Sequence, residues 1–190
     1  MLIVTQEKQA EYEIKKSLFI GAILPCMNER EALQGLRVLA SQHPNANHLA
    51  FAWRIRQEDG FINERCNDAG EPSGTAGRPI LAPLEGASII NTVVCVVRYF
   101  GGVKLGTGGL ARAYGTAAKL AIEGANLIPW VEMATLEMAL DYSQLQLLEY
   151  HLNKCSGQIV EQQFTDRVQV RISLPASEKV SIQQLFSEFG

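Results

Sequence analysis

The sequence predicts a chain of mixed strands and helices in two parts, residues 1–130 and 131–190, and three observations carry that reading. Apolar residues recur both at the two-residue period of strands and at the three-to-four-residue period of helices. Pro129-Trp130 closes a Gly- and Ala-rich helical stretch, and proline resists continuing a helix, so a linker falls at about residues 128–132. The charge balance changes at the same place: residues 1–130 hold 13 Lys and Arg against 12 Asp and Glu, and residues 131–190 hold 4 against 8.

In the first part a strand is expected near Tyr12–Ile14 and another from Ser17 to Pro25. A helix follows from about Asn28, which can form a capping box with Glu31, and His43-Pro44 stops it. Leu49, Phe51, Trp53 and Ile55 alternate with Ala50, Ala52, Arg54 and Arg56, the period of a half-buried strand whose arginine face stays wet. A long polar loop leads to a short helix that begins around Ala76–Pro79. Val93–Val97 reads as a fully buried strand, and Leu110–Asn126 as a helix whose Ala113, Ala117, Ala121 and Gly124 let its backbone lie close to a sheet.

The second part reads as βαββα. Met133–Asp141 alternates as a strand, Ser143-Gln-Leu-Gln146 is a capping box opening a helix with Leu145, Leu148 and Leu152 on one face, and Gly157 ends it. Gln158–Phe164 and Val168–Leu174 form a hairpin around Asp166, and Val180–Phe189 a second helix. A ferredoxin-like split βαβ unit needs one more strand after that helix. The first strand is therefore expected to carry an uncovered edge, open to self-association through Thr135–Asp141.

A formal net charge of −3 gives no global mark of nucleic-acid binding, and 47% hydrophobic residues exclude general disorder. The most apolar run, Ile89–Phe100, is broken by Asn91, Thr92 and Arg98 and falls short of the about 20 residues that span a bilayer. No membrane partner is expected. The N-terminus lacks the zones of a signal peptide, which makes the cytoplasm the expected compartment. Cys26, Cys66, Cys95 and Cys155 form no Cys-x-x-Cys pair and His43, His48 and His151 no metal spacing, so neither a metal nor a cofactor is expected.

Eleven of the 16 glycines fall between Gly70 and Gly124, and two loops stand out there. The first is Asp68-Ala-Gly-Glu71-Pro-Ser-Gly74-Thr75-Ala-Gly77-Arg78-Pro79, where Thr75 can cap the next helix. It reads either as an anion site of helix amides and Arg78, flanked by an acidic pair, Asp68 and Glu71, able to hold a proton or a metal. Or it is a stiff connector whose two carboxylates bond the turn's own amides. The second is Arg98-Tyr-Phe-Gly101-Gly102-Val-Lys104-Leu-Gly106-Thr107-Gly108-Gly109-Leu-Ala-Arg112. Its five glycines free the amides to form an anion-binding nest, with positive φ expected at Gly108, and the helix behind adds its positive end. It is no Walker A loop, and Gly106-Thr-Gly108-Gly-Leu-Ala111 is a loose dinucleotide match. Arg112 and Lys119 share a helical face and extend a basic track from Lys104, unless all three are solvated charges on a tight turn.

Other residues carry less. Ser73 lacks a Gly-x-Ser-x-Gly elbow, Cys66 reads as a loop cysteine rather than a nucleophile, and His48 as a strand-edge hydrogen-bonder rather than a base. Tyr99 and Phe100 either stack on bases or belong to the core.

Taken together, the loops Asp68–Pro79 and Val97–Leu110 resemble the signature of the YigZ/IMPACT family, in bacterial two-domain form. The resemblance covers both parts of the chain and implies the α+β class. It implies a first domain similar to the left-handed βαβ fold of ribosomal proteins and of domain IV of elongation factor G. The second domain is similar to the ferredoxin-like domain V of that factor, its last strand missing. Eukaryotic relatives regulate translation through protein partners. The fold by itself decides no chemistry, because it also hosts kinases and ATPases.

The first functional expectation is a non-enzymatic nucleic-acid- or ribosome-associated protein with a role in translational regulation. Arg54, Arg56, Arg78, Arg98, Lys104, Arg112 and Lys119 are expected to contact phosphates, and Gly74, Gly101, Gly102, Gly106, Gly108 and Gly109 to position backbone amides. No catalytic residue is assigned. One alternative is an enzyme that holds a small phosphorylated or anionic substrate in the glycine-rich loops, with Asp68 or Glu71 as acid-base group or metal ligand; another is a protein-binding regulator. A basic face favours RNA, a closed cavity of roughly 300 Å³ or more with convergent carboxylates an enzyme, and an exposed apolar patch a protein partner. The two loops are expected to be neighbours in space.

Overall fold

Val93–Val97 is apolar at every position because it runs through the middle of a sheet covered on both faces. In the computed structural model, which describes residues 1–187, the unit Met1–Trp130 contains β1 (Leu2–Val4), β2 (Lys8–Ile14), β3 (Ser17–Pro25), α1 (Glu29–Gln42), β4 (His48–Arg56), β5 (Ile62–Asn67), α2 (Gly77–Gly86), β6 (Thr92–Tyr99), α3 (Gly106–Glu123) and β7 (Leu127–Pro129). Five strands form an antiparallel sheet in the order β2-β3-β6-β4-β5, and β1 pairs separately with β7. Strand alternation divides the core into two layers. Val93, Cys95 and Val97 cluster with Leu36 and Leu39 of α1, and Val94 and Val96 with Ile80 and Leu84 of α2 and Tyr114 and Ala117 of α3.

Double coverage corrects the expectation for β4. Its second face is not wet: Ala50 and Ala52 are fully buried in the layer of α2 and α3, and Arg54 on that face is largely buried. Small residues there admit the helices, a cause that alternation alone does not reveal.

Helix α1 begins as its sequence requires. Asn28 Oδ1 accepts from the Glu31 amide at 3.0 Å, the Glu31 carboxylate accepts from the Met27 amide at 2.8 Å, and the helix ends at Gln42, before His43-Pro44. Helix α3 lies on the backbone of β3: a Cβ at Gly21 would stand 2.2 Å from the Ala117 carbonyl oxygen. This is the close approach that the alanine spacing predicts.

Several elements differ from expectation. Strands β1, β5 and β7 were not foreseen, and β2 begins at Lys8 rather than near Tyr12. Strand β5, Ile-Asn-Glu-Arg-Cys-Asn, is a polar edge strand held by main-chain pairing with β4, so it lacks the apolar alternation that marks a strand. Helix α2 begins at Gly77, as expected, with Pro79 in its first turn, where no N–H is needed, and runs through Pro83 to Gly86. Helix α3 starts at Gly106 rather than Leu110, which takes Gly108 and Gly109 into its first turn.

The second unit, from Val131 on, contains β8 (Met133–Leu140), α4 (Leu145–Lys154), β9 (Gln158–Phe164), β10 (Val168–Pro175) and α5 (Lys179–Ser187). Its antiparallel sheet has the order β8-β10-β9, and Leu148 and Leu152 of α4 and Ile182 of α5 cluster with Val168, Val170, Ile172 and Leu174. Among the described residues the outer edge of β8 has no strand beside it. The capping box is Asp141 with Gln144, not Ser143 with Gln146, because Asp141 keeps the extended backbone of a cap while Ser143 already lies in the helical turn Tyr142–Gln144 that leads into α4. The last residue of the expected helix, Phe189, lies outside the described residues. No helix among the described residues is long and apolar enough to cross a membrane.

Candidate functional site

The two glycine-rich loops meet, as expected, and a cavity of about 400 Å³ lies where they do. Glu71 and Pro72 from the first loop and Phe100, Lys104, Leu105, Gly106 and Thr107 from the second line it, with Asn47, His48, Arg98 and Leu110. Strand β6 brings Arg98 there and β4 brings His48, because the two residues are register partners across the sheet.

Arg98 is buried and paired. Its Nη1 donates to Glu71 Oε1 at 2.5 Å, and the Tyr114 hydroxyl donates to the same oxygen at 2.8 Å. The guanidinium also lies 5.5 Å from the Phe19 ring centre and 5.4 Å from that of Phe100. Among the described residues its buried Nε has no hydrogen-bond partner. Burial first, and then the neighbouring Glu71 carboxylate, raise the Tyr114 hydroxyl above the usual tyrosine range. His48 Nε2 is 3.8 Å from Glu71 Oε1 and its Nδ1 is 2.9 Å from the Ala69 carbonyl oxygen. A carbonyl only accepts, so Nδ1 carries the proton and His48 bonds at the strand edge, as its position suggests.

Asp68 and Glu71 do not act as a pair. Asp68 turns to the backbone, where Oδ2 accepts from the Gly74 amide at 2.9 Å and Oδ1 from the Ala76 and Gly77 amides at 2.9 and 2.8 Å. Partial burial raises its pKa, but the three amide bonds outweigh that and hold the carboxyl below its ordinary 3.8. Asp68 thus caps α2 in place of Thr75, whose hydroxyl donates to the Pro72 carbonyl at 2.6 Å. The connector reading holds for Asp68 and fails for Glu71, which bonds side chains rather than amides. Among the described residues no group of three His, Cys, Asp or Glu is placed to hold a metal. Neither Ser73 nor Cys66 lines the cavity.

The glycines divide by cause. Gly74, Gly102 and Gly106 have φ of 76°, 85° and 72°, the left-handed region that favours glycine. Gly101 is required by contact, since a Cβ there would come within 2.0 Å of the Lys16 carbonyl group. Gly108 is helical, without positive φ, and a Cβ there would meet only Arg112 Nη1 at 3.7 Å, which corrects the expectation of a strained position.

The cations divide as well. Arg54 Nε binds Glu64 at 2.7 Å and its Nη1 donates to the Ile89 and Leu84 carbonyls, so its charge ties the end of α2 to the sheet. Arg56 lies 4.4 Å from the Trp130 ring centre, Arg78 pairs with Glu85 at 2.9 Å, and Lys119 with Glu123 at 3.6 Å. Lys104 and Arg112 are exposed and have no ion-pair partner among the described residues. Sequence reasoning missed two more, Lys15 and Lys16, exposed at the β2–β3 turn against which Gly101 packs. It also missed Tyr114, whose position among core alanines hides its hydroxyl, and Asn47, whose Oδ1 accepts from the Phe100 amide at 2.7 Å. The two residues with positive φ at Lys15-Lys16 follow from a two-residue hairpin turn, a signal that the short gap between Ile14 and Ser17 carries.

The Impact N-terminal domain model matches residues 15–122, and the model of a domain of unknown function, DUF1949, matches residues 138–190. The IMPACT family member YigZ of Escherichia coli (strain K12) is 33% identical over 94% of this chain and 87% of its own length. The family member YvyE of Bacillus subtilis (strain 168) is 35% identical over 97% of this chain and 84% of its own. A crystal structure described as that of an hypothetical protein is similar at a TM-score of 0.73 and 32% identity, covering 100% of this chain and 92% of that one.

Proposed function

The chain belongs to the IMPACT family, and from that premise we propose that it is a non-enzymatic, cytoplasmic protein that binds RNA, free or on the ribosome, and regulates translation. The observation that carries this reading is that Lys104 lies in the loop Gly101–Gly106, the Lys15-Lys16 turn packs its backbone on Gly101 and Arg112 lies beside Gly108, none of the four with an ion-pair partner among the described residues. A cation already bound to a carboxylate neutralises no phosphate and releases no counterion, so unpaired cations mark a phosphate-binding face better than their number does. Phe100, 45% exposed beside them, offers a ring on which a base can stack.

The test is the salt dependence of RNA affinity. Lys104→Glu with Arg112→Glu removes two phosphate contacts from exposed positions, so the slope of log K against log salt should fall in magnitude by about 1.4 for single strands and about 1.8 for duplexes. Lys154→Glu with Lys179→Glu makes the same change in net charge on the second unit. Equal weakening by both pairs would show that only net charge matters and would remove the site.

The cavity favours a second reading, an enzyme for a small anionic substrate, since its volume of about 400 Å³ lies within the range of ligand sites. Among the described residues the one carboxylate that lines it, Glu71, is already held by Arg98 and Tyr114. Turnover of a phosphate ester, lost in Glu71→Gln, would establish that reading.

A further inference from the structure

Pro72, Phe100, Leu105 and Leu110 make the wall of the cavity between the two glycine-rich loops mostly apolar. Apolar walls alone suit many groups, so the polar atoms among them decide the occupant. The Phe100 amide donates to Asn47 Oδ1 at 2.7 Å, which orients the exposed Asn47 side chain and leaves its Nδ2 to donate elsewhere. His48 carries its proton on Nδ1, bonded to the Ala69 carbonyl, so its Nε2 is an acceptor. That nitrogen makes no hydrogen bond, yet it is not buried, because among the described residues Arg98 Nε is the one buried side-chain nitrogen or oxygen without a partner. The cavity is thus lined by a free donor on Asn47, a free acceptor on His48 and an exposed aromatic ring. A nucleobase has a flat face for the ring and, on its pairing edge, a donor next to an acceptor. In a duplex the opposite strand occupies that edge; in a single strand it is free. The charges agree with a strand passing the mouth, since Lys104 in the wall has no ion-pair partner among the described residues and the Lys15-Lys16 turn packs on Gly101.

Resting on the RNA reading and narrowing it, we propose that the cavity takes one unpaired base of an RNA strand, so that the first unit selects single-stranded over double-stranded RNA. The base lies on the Phe100 ring with its pairing edge toward Asn47 and His48, and the neighbouring phosphates lie toward Lys104.

Two measurements on the full chain test this. Fluorescence anisotropy at one salt concentration, with one RNA sequence as a single strand and as a duplex, should show the single strand preferred by about tenfold or more. Phe100→Ala, at a position 45% exposed, should lower single-strand affinity by about tenfold and leave duplex affinity unchanged. Phe100→Trp should keep the preference, which separates loss of the ring from loss of the fold. Lys15→Glu with Lys16→Glu should weaken both RNAs alike. With Phe100→p-benzoylphenylalanine in a cell extract, light should join the chain to material that ribonuclease digests. An adduct to protein instead, a second copy of this chain included, would overturn the inference. If single strand and duplex bind alike, or Phe100→Ala weakens both by the same factor, the inference falls and the RNA reading stands. If neither RNA binds, the RNA reading falls and takes the inference with it.

Discussion

Asp68 and Glu71 stand three residues apart in one loop, and the chain between them turns one to backbone amides and the other to a buried guanidinium. Glu71→Gln leaves Arg98 as an uncompensated buried charge, and breaking such a pair costs about 3–5 kcal/mol. Urea unfolding should show that loss, and Glu71→Leu combined with Arg98→Met should cost less than the two single changes together. Asp68 acts through pH. Its native pKa lies below its ordinary 3.8, so its stabilisation is complete above the unfolded value and is lost as pH falls through the native one. Thermal melts of Asp68→Asn should therefore show a deficit at neutral pH, about 1–2 kcal/mol for a lost cap, that closes below pH 3.8. A deficit constant down to pH 2 would refute the capping role. The sequence showed that this loop carries carboxylates and has an irregular backbone. It could not show which carboxylate finds the amides, because that depends on Arg98 and Tyr114, brought in from β6 and α3.

At the scale of the element, glycines that look alike in the sequence separate into those that a neighbour requires and those that none does. Gly21→Ala would force a methyl group to within 2.2 Å of the α3 backbone at Ala117, an overpacking that costs about 1–3 kcal/mol or more. Gly108→Val, on the first turn of α3 where a Cβ meets only the Arg112 side chain at ordinary contact distance, should change stability by less than about 1 kcal/mol and improves the helix propensity there. Chemical denaturation of the two variants tests the assignment, and a Gly108→Val loss as large as that of Gly21→Ala would contradict it. The alanine row of α3 made the close approach legible, since its period identifies both the helix and the face that meets a strand. Strand β5 was illegible for the opposite reason: at a sheet edge the main-chain bonds to β4 suffice, and its polar side chains need follow no pattern.

Across the whole molecule, the chain carries a slightly positive first unit and an acidic second one, and that division was legible from residue counts alone. Which cations are available was not. Arg54, Arg78, Arg98 and Lys119 each find a carboxylate through folding, and Lys15 and Lys16 reach the motif loops only because a hairpin turn packs on Gly101. The second unit has its own asymmetry. Among the described residues both β8 and β9 are edges, but β9 faces its neighbour across a register shift at Arg171/Ile172, while β8 pairs with β10 residue for residue over its whole length. A bulged edge discourages addition and a regular one invites it. Pairing of β8 with β9 of another copy would be head-to-tail and would grow without end. Pairing of β8 with β8 obeys a twofold axis, joins two three-stranded sheets into one of six strands and leaves no regular edge to extend. Sedimentation at rising concentration should accordingly stop at two copies, with no ladder of larger species: the shape of one edge sets a point group, and the point group sets the ceiling on assembly.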